Sequence, residues 1–462
     1  MMASRRDFLG GALASVGLWG IGGCRLFPAS ALRFGVLSDI HIREGGKTER
    51  CYGGDVTYFR KALEYFRGQG VDAVMIAGDL ADKGRASELK AVADVWFDVF
   101  PEGCGVEKLF VSGNHDWWGQ KSVAKMKALW EETWREPYES LWHKTVKGYH
   151  FLGQHWEDYN SCTGAPFGKL GPWLERNGGL VRGGRPFFYV QHPHPRGTCN
   201  GAWAWGRDNG ATTKALAGWP NAVVFSGHSH HAQTDERSIW QGAFTSVNTG
   251  SLRYGCHPDN GGMPGRGYEN GYKGPDEKLM PRCDVLETKT GLVVEVSDEA
   301  IVYIRRDFQN DRSLGPDWVQ PLPSRAQSPA MGFAERAAKE TPPSFAPGAA
   351  ITMKPLTARP RKGEPVEAID VEFPAANASA TRSFVYEVRV TGEGEPLVRE
   401  VIAEGFDQAA ESEWANRPSR VILAKAWLPR GERLEVAVTP VSSLGVRGKA
   451  ITAWMASSRS LH

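Results

Sequence analysis

Between residues 32 and 305 the chain alternates short apolar runs with longer amphipathic stretches. Apolar runs occupy 32–37, 71–77, 186–190 and 222–225, and another opens at Phe110 and breaks at Gly113. Each has the length of a strand rather than a helix. Helical spacing appears between them: Val56, Phe59, Leu63 and Phe66 over 55–67, then Leu89, Val92, Val95, Trp96 and Val99 over 86–100. Strands alternating with helices of this length predict an α/β layered domain with largely parallel pairing.

The pattern changes twice further on. Residues 251–283 are rich in Gly and Pro, as in Gly261-Gly262-Met263-Pro264-Gly265, and have no apolar period. Such an insertion reads either as a binding loop at the rim of a site or as disorder. Residues 307–348 turn Pro-rich (Pro316, Pro321, Pro323, Pro329, Pro342, Pro343, Pro347) and predict a linker that wraps across the first domain. Short β-type runs then recur at 368–373, 383–391, 397–403, 421–428, 433–439 and 450–455. Their spacing and alternation predict a small antiparallel sandwich. The expected division is 1–30 signal, 31–306 α/β domain, 307–348 linker and 349–462 all-β sandwich.

At 462 residues the chain exceeds one typical domain, and 41% hydrophobic content is enough for separate cores. A formal net charge of +2 is near balance, so neither a nucleic-acid stripe nor strong steering of anions is expected. Trp117, Trp118, Trp130, Trp134, Trp142 and Trp156 fall in the α/β part, where core packing or the wall of a pocket would use them.

What the apolar runs end in carries the chemistry. Asp39-Ile40-His41, Gly78-Asp79, Gly113-Asn114-His115-Asp116, His192 and Gly227-His228-Ser229-His230 each follow one of them. A single turn rich in Asn and Asp is ordinary loop chemistry. Five strands ending in metal-ligand residue types, where open α/β sheets place their ligands, are not. The ordered set resembles the calcineurin-like metallophosphoesterase family over roughly 31–305: Asp-x-His, Gly-Asp, Gly-Asn-His-Asp, a lone His and Gly-His-x-His. That resemblance implies a double β-sheet flanked by helices, the αββα sandwich, with a metal site along one edge.

It also implies two divalent or transition metal ions, among Mn, Fe and Zn, whose identity ligands of mixed hardness do not fix. Carried over residue by residue, Asp39, His41, Asp79 and His230 hold one ion. Asp79, Asn114, His192 and His228 hold the other, with Asp79 bridging. An extended strand end would point Asp39 and His41 to one side, and likewise His228 and His230. Two ions about 3.5–4 Å apart clamp a phosphoryl group and lower the pKa of a shared water. Asn114 and His115 are expected to meet the substrate, with His115 protonating the leaving oxygen.

Gly78-Asp79-Leu80-Ala81-Asp82-Lys83-Gly84 looks like the Gly-Asp-x-x-Asp-Arg-Gly of serine/threonine protein phosphatases, whose second Asp orients that histidine. Asp82 takes that role here, and Lys83, standing for Arg, attracts phosphate without the bidentate fork. Purple acid phosphatases have Tyr where Asp82 stands, which disfavours a tyrosinate-bound ferric ion. His194 is an open alternative to His192, and His231 reads as lying behind the ligands or solvated. His143, His150, His155 and His257 carry no motif.

The expected function is an exported phosphoesterase acting on mono- or diesters of small molecules or of the cell envelope. The rival reading is a non-catalytic, surface-anchored binding protein with a relict metal domain; no motif position is lost, which argues against it. Export is expected from Ser4-Arg5-Arg6-Asp7-Phe8-Leu9, a twin-arginine pattern followed by an apolar run over 9–23 too short to span a bilayer. Ile21-Gly22-Gly23-Cys24 looks like a lipoprotein box that would attach the chain to a membrane through a lipid on Cys24, with cleavage after Ala29-Ser30-Ala31 as the alternative. Cys51, Cys104, Cys162, Cys199, Cys256 and Cys283 permit three disulfides in an exported protein. In the sandwich, 434–445 resembles the late strand and turn of a fibronectin type III domain, with Leu434 where a tyrosine is often found.

Overall fold

The computed structural model describes residues 31–43, 54, 56–120, 122–157, 167–201, 204–255, 289–324, 329–358, 364–409 and 412–456. The export signal, Cys24 and most of the Gly/Pro-rich insertion lie outside the described residues. The first elements are β1 (Leu32–Leu37), α1 (Thr57–Gly68), β2 (Ala73–Ala77), α2 (Ala86–Val99), β3 (Glu107–Val111), α3 (Asn114–Trp118) and α4 (Val123–Trp134). Then come β4 (Leu141–Val146), β5 (Tyr149–Gln154), α5 (Leu170–Val181), β6 (Phe187–Val190), α6 (Ala211–Ala215), β7 (Ala222–Ser226), β8 (Ile239–Gln241) and β9 (Thr245–Asn248). The α/β part closes with β10 (Thr290–Val296), β11 (Ala300–Asp307), β12 (Arg312–Ser313) and β13 (Trp318–Pro321), followed by α7 (Phe333–Ala337).

These strands form two facing sheets. One runs β12-β11-β10-β1-β2-β3, with β13 also on β11; the other runs β4-β5-β6-β7-β9-β8. Pairing is parallel through β1, β2 and β3 and through β5, β6, β7 and β9. It is antiparallel between β1 and β10 and between strands close in sequence, β4–β5, β8–β9, β10–β11, β11–β12 and β11–β13. The β4–β5 hairpin closes through Lys147-Gly148, both at positive φ (48° and 78°), the backbone that a two-residue turn needs.

Alternation along each strand explains the layers. Phe34 and Val36 of β1, Met75 of β2, Phe188 of β6 and Phe225 of β7 meet between the sheets. Val74 and Ile76 of β2 point the other way, onto Phe59, Leu63, Phe66, Leu89, Val92 and Trp96 of α1 and α2. On the far side Tyr189 and Val224 pack with Leu170 and Leu174 of α5. The result is the expected αββα order.

The rest is all β: β14 (Thr352–Ala358), β15 (Val366–Phe373), β16 (Val385–Glu393), β17 (Leu397–Ile402), β18 (Ser419–Ala424), β19 (Arg430–Val441) and β20 (Ile451–Ala456). Sheets β14-β15-β18 and β17-β16-β19-β20 enclose a core with Val371, Phe373, Val388, Val401, Val421, Leu434 and Val436. β14 has no counterpart among the β-type runs of the sequence, because it is mostly exposed and carries Pro355. As the margin strand of its sheet it tolerates that proline. Part of the Pro-rich stretch, β12 and β13, pairs with β11 of the first sheet.

The two parts touch through the chain that follows the last ligand motif. Ala232 packs into the sandwich core. Thr234 Oγ1 donates to the Phe406 carbonyl, Glu236 N–H donates to Ser443 Oγ at 3.1 Å, and the Arg237 guanidinium lies 4.8 Å from the Phe384 ring centre. Cys104 and Cys199 carry no disulfide, so the three bridges permitted by six cysteines do not form. Cys199 is instead buried, with its thiol against the Ser238 and Ser246 carbonyls. The other four lie outside the described residues.

Candidate metal centre

The residues of all five motifs converge where the parallel strands of the two sheets end. The backbone that brings them there is not extended. Asp39, His41, Asp79, His228 and His230 have φ of 54°, 48°, 52°, 66° and 51°. Left-handed backbone is uncommon outside glycine and concentrates at functional sites. The extended strand ends expected for Asp39–His41 and His228–His230 are therefore corrected: each pair converges through two left-handed residues, not through strand alternation. Main-chain bonds hold the first pair beside its neighbour, Asp39 N–H to the Gly78 carbonyl at 3.0 Å and His41 N–H to the Asp79 carbonyl at 3.0 Å.

The glycines of the motifs make room. A Cβ at Gly113 would stand 2.2 Å from Asp79 Oδ1, and one at Gly227 would stand 2.4 Å from Asp39 Oδ2. Asp116 ties two of the loops together, accepting from Gly113 N–H and Ala81 N–H at 2.8 Å each. Burial, with the nearby Asp79 charge, pushes its carboxyl up to about 7.

Among the described residues three donor groups result: His41–Asp82–His115 at the edge, and two of six residues in all, Asp39–His41–Asp79–His230 and Asp79–His192–His228, that share Asp79. All six residues are buried. His230 Nε2 lies 2.9 Å from Asp39 Oδ1, and His41 Nε2 lies 3.7 Å from Asp79 Oδ2. His192 Nε2 stands 3.2 Å from Asp79 Oδ2, 3.1 Å from Asn114 Oδ1 and 3.2 Å from His228 Nδ1. Carbonyl partners assign the tautomers: His192 Nδ1 faces the Ala77 carbonyl at 2.7 Å, and His230 Nδ1 faces the Tyr254 carbonyl at 3.0 Å. Each therefore donates through Nδ1 and turns Nε2 toward carboxylate oxygen. Acceptors facing acceptors need a cation between them.

The charges agree. Burial, aided by neighbouring histidines, holds His41 and His228 well below the usual imidazole range, so both are neutral ligands at pH 7. Burial opposes ionisation of Asp79, yet His192 and His115 hold its carboxyl well below the usual range. Burial would likewise lower His192, but Asp79 and Asp39 hold it up to about 9, a proton standing where a metal cation fits.

Residues 32–232 match the family model described as calcineurin-like phosphoesterase. The match makes this stretch similar to the calcineurin-like phosphoesterases. No curated protein matches the chain. Among solved structures, the chain is similar to a dimetal phosphatase of Danio rerio at 11% identity, over 63% of this chain and 98% of that one, with a TM-score of 0.39. It is also similar to a conserved uncharacterised protein of Streptococcus pneumoniae (15% identity, 63% and 97% covered, TM-score 0.28) and to vacuolar protein sorting 29 of Cryptosporidium parvum (10%, 64% and 98%, 0.29). These likenesses are distant and add no weight to the site.

His115 sits at the edge of the cluster. Its N–H donates to Asp79 Oδ1 at 2.8 Å, and its ring Nδ1 donates to the main-chain carbonyl of Asp82, also at 2.8 Å. The orienting bond thus comes from the Asp82 backbone. The Asp82 carboxylate lies 3.7 Å from His41 Nδ1 and 3.9 Å from His115 Nδ1, and accepts no hydrogen bond. Lys83 Nζ stands 3.5 Å from Asp82 Oδ2. His192, not His194, joins the donor cluster; His194 and His231 are both buried, 6.1 Å apart by ring centres. Sequence reasoning missed the residues around the ligands. Ser38 Oγ donates to Asp39 Oδ2 at 2.6 Å, Trp205 stacks on His228 at 4.8 Å, and Trp118 packs on His115 at 3.7 Å between ring centres. Only the Trp-Trp doublet after the motif hinted at this.

Proposed function

We propose that the chain is an exported, metal-dependent phosphoesterase that hydrolyses phosphate mono- or diesters of small molecules or of the cell envelope. The observation that carries this reading is the pair of buried donor clusters sharing Asp79. Asp39, His41, Asp79 and His230 would hold one divalent or transition ion; Asp79, Asn114, His192 and His228 would hold the other. When bound, such ions supply charge neutralisation on the phosphoryl oxygens and a nucleophile stronger than neutral water.

The protein's own groups do the rest. His115, with Nδ1 committed to the Asp82 carbonyl, has Nε2 left to give a proton to the leaving oxygen. Asn114 and Lys83 face the substrate, Lys83 as a point charge. Export rests on Arg5-Arg6, attachment to a membrane on Cys24, and the C-terminal sandwich is read as fibronectin type III-like.

Elemental analysis of chelator-free protein tests the centre, with about two ions per chain expected. One ion or none after reconstitution removes the site. Hydrolysis of an aryl phosphate against a bis-aryl phosphate with added Mn²⁺ then separates monoesterase from diesterase. Replacing Arg5 and Arg6 by Lys should trap precursor in the cytosol, and mass spectrometry of the mature amino terminus decides whether Cys24 carries a lipid.

A further inference from the structure

Helix α3 is five residues long, yet it sends its two tryptophans in opposite directions. Trp117 is fully buried and donates Nε1–H to Ser112 Oγ at 3.0 Å. Trp118 is 41% exposed. Its indole packs against the His115 imidazole, the rings tilted by 31°, and Lys83 Nζ lies 5.0 Å from its centre. A large apolar ring left open to water beside the candidate acid has no part in the core and none in the donor clusters.

We infer that Trp118 forms the subsite for the leaving group and selects esters whose leaving group presents a flat aromatic face. The inference rests on the proposed function. In that reaction the P–O bond to the leaving group breaks with its electron pair on oxygen. That oxygen takes the proton of His115 Nε2, water forms the new P–O bond, and the proton that the water releases to solvent balances the one that His115 takes back from it. Proton transfer places the leaving oxygen about 3 Å from Nε2. Whatever is bonded to that oxygen then comes within reach of an indole centred 3.7 Å from the imidazole centre. Aromatic pairs gain most at roughly 4.5–7 Å between centroids, in offset or edge-to-face geometry. An aryl group can reach that range here, whereas a small alkyl group offers the indole little to cover it. Lys83 adds positive charge at the same ring and draws the anionic ester toward it.

The test uses the metal-loaded full chain. The wild type, Trp118→Ala and Trp118→Phe are compared on aryl and alkyl phosphates matched for leaving-group pKa. Calorimetry of phenylphosphonate and methylphosphonate binding gives a readout free of turnover. Trp118→Ala is expected to lose about three- to tenfold more kcat/KM on aryl than on alkyl esters, chiefly through KM. It should lose affinity for phenylphosphonate relative to methylphosphonate by a similar factor, and Trp118→Phe should restore most of both. Equal losses on aryl and alkyl esters overturn the subsite and leave Trp118 as a support for His115. Unchanged kinetics overturn both roles. A metal-loaded wild type that hydrolyses no ester removes the proposed function and the subsite with it, whereas hydrolysis without aryl preference removes the subsite alone.

Discussion

Replacing Gly227 by Ala adds a single methyl group at the tightest point of the centre. The new Cβ would stand 1.7 Å from Ser38 Oγ, 2.7 Å from Ser38 Cβ and 2.4 Å from Asp39 Oδ2, where ordinary contact begins near 3.4 Å. The Ser38 hydroxyl can swing away only by giving up its bonds to Asp39 Oδ2 at 2.6 Å and to the Ala77 carbonyl at 3.1 Å. Neither strand end retreats freely. Gly227 N–H is tied to the His192 carbonyl at 2.8 Å, and the Ser38 carbonyl accepts from Leu252 N–H at 3.0 Å. Overpacking a filled interior costs roughly 1–3 kcal/mol, and each lost hydrogen bond adds about 1 kcal/mol. Their sum is roughly 3–5 kcal/mol, large for a one-carbon change. If the Asp39 carboxylate yields instead, it moves by about 1 Å, against a tolerance of about 0.2 Å in ligand distances. Gly227→Ala should therefore bind about one ion fewer and unfold earlier, read by elemental analysis and calorimetry. Gly179→Ala is the control: a Cβ there meets nothing within 4 Å, and the site lies in helix α5. It should keep its metal and gain about 0.4–1 kcal/mol. Gly227→Ala protein holding both ions at wild-type affinity would refute the reasoning.

Three further outcomes are expected. His115→Asn should keep both metals and lower kcat by on the order of 10²–10⁴ for a poor leaving group, with a smaller loss for a nitrophenolate; equal losses in leaving-group assays would end its role as the acid. Glu236→Ala removes the acceptor of Arg305 Nη1 (2.8 Å), Trp318 Nε1 (2.7 Å) and Arg336 Nη1 (3.3 Å), and should cost about 2–3 kcal/mol in denaturant titration, since Arg305 is buried but keeps the Gln233 and Pro316 carbonyls; a cost below about 0.5 kcal/mol would show that water replaces Glu236. Burial raises the Asp407 carboxyl to about 6, so the folded state holds its proton more tightly than the unfolded chain does, and stability falls as pH rises from about 4 to about 6; Asp407→Asn should remove that loss, raising Tm at pH 7 and leaving it unchanged at pH 4.

The sequence was most legible where a side chain must both bind and end a strand. Asp39, Asp79, Asn114, His192 and His228 follow apolar runs that sheets must bury, so topology alone collects them at one edge. The continuous apolar runs of β2 and β7 marked buried strands for the same reason, while the double sheet was legible only through the family resemblance. The backbone that aims the ligands was not legible, because left-handed φ at Asp39 or His230 leaves no mark when the residue is not glycine. Nor was the partner of His115: a main-chain carbonyl such as that of Asp82 has no residue type to read. β14 was hidden by exposure and by Pro355, which remove the two-residue period on which strand reading depends.

The contact between the two parts was hidden for a further reason, and it bears on where the chemistry is bounded. Every residue of the donor clusters precedes the sandwich in sequence, which invites a cut after residue 348. The chain just past His230 does not respect that cut. Ala232 is packed in the sandwich core, Thr234 and Glu236 bond to Phe406 and Ser443, and Arg237 lies over Phe384. On the other side Gln233 and Glu236 are held by Arg305 of β11. His228 and His230 thus sit at one end of a segment fixed by both parts, and their left-handed backbone needs its surroundings to hold it. Removing the sandwich would expose Ala232 and free one side of that segment, so a shortened chain should lose affinity first for the ions that His228 and His230 would hold. The ligands are encoded in the first part, but their rigidity belongs to both.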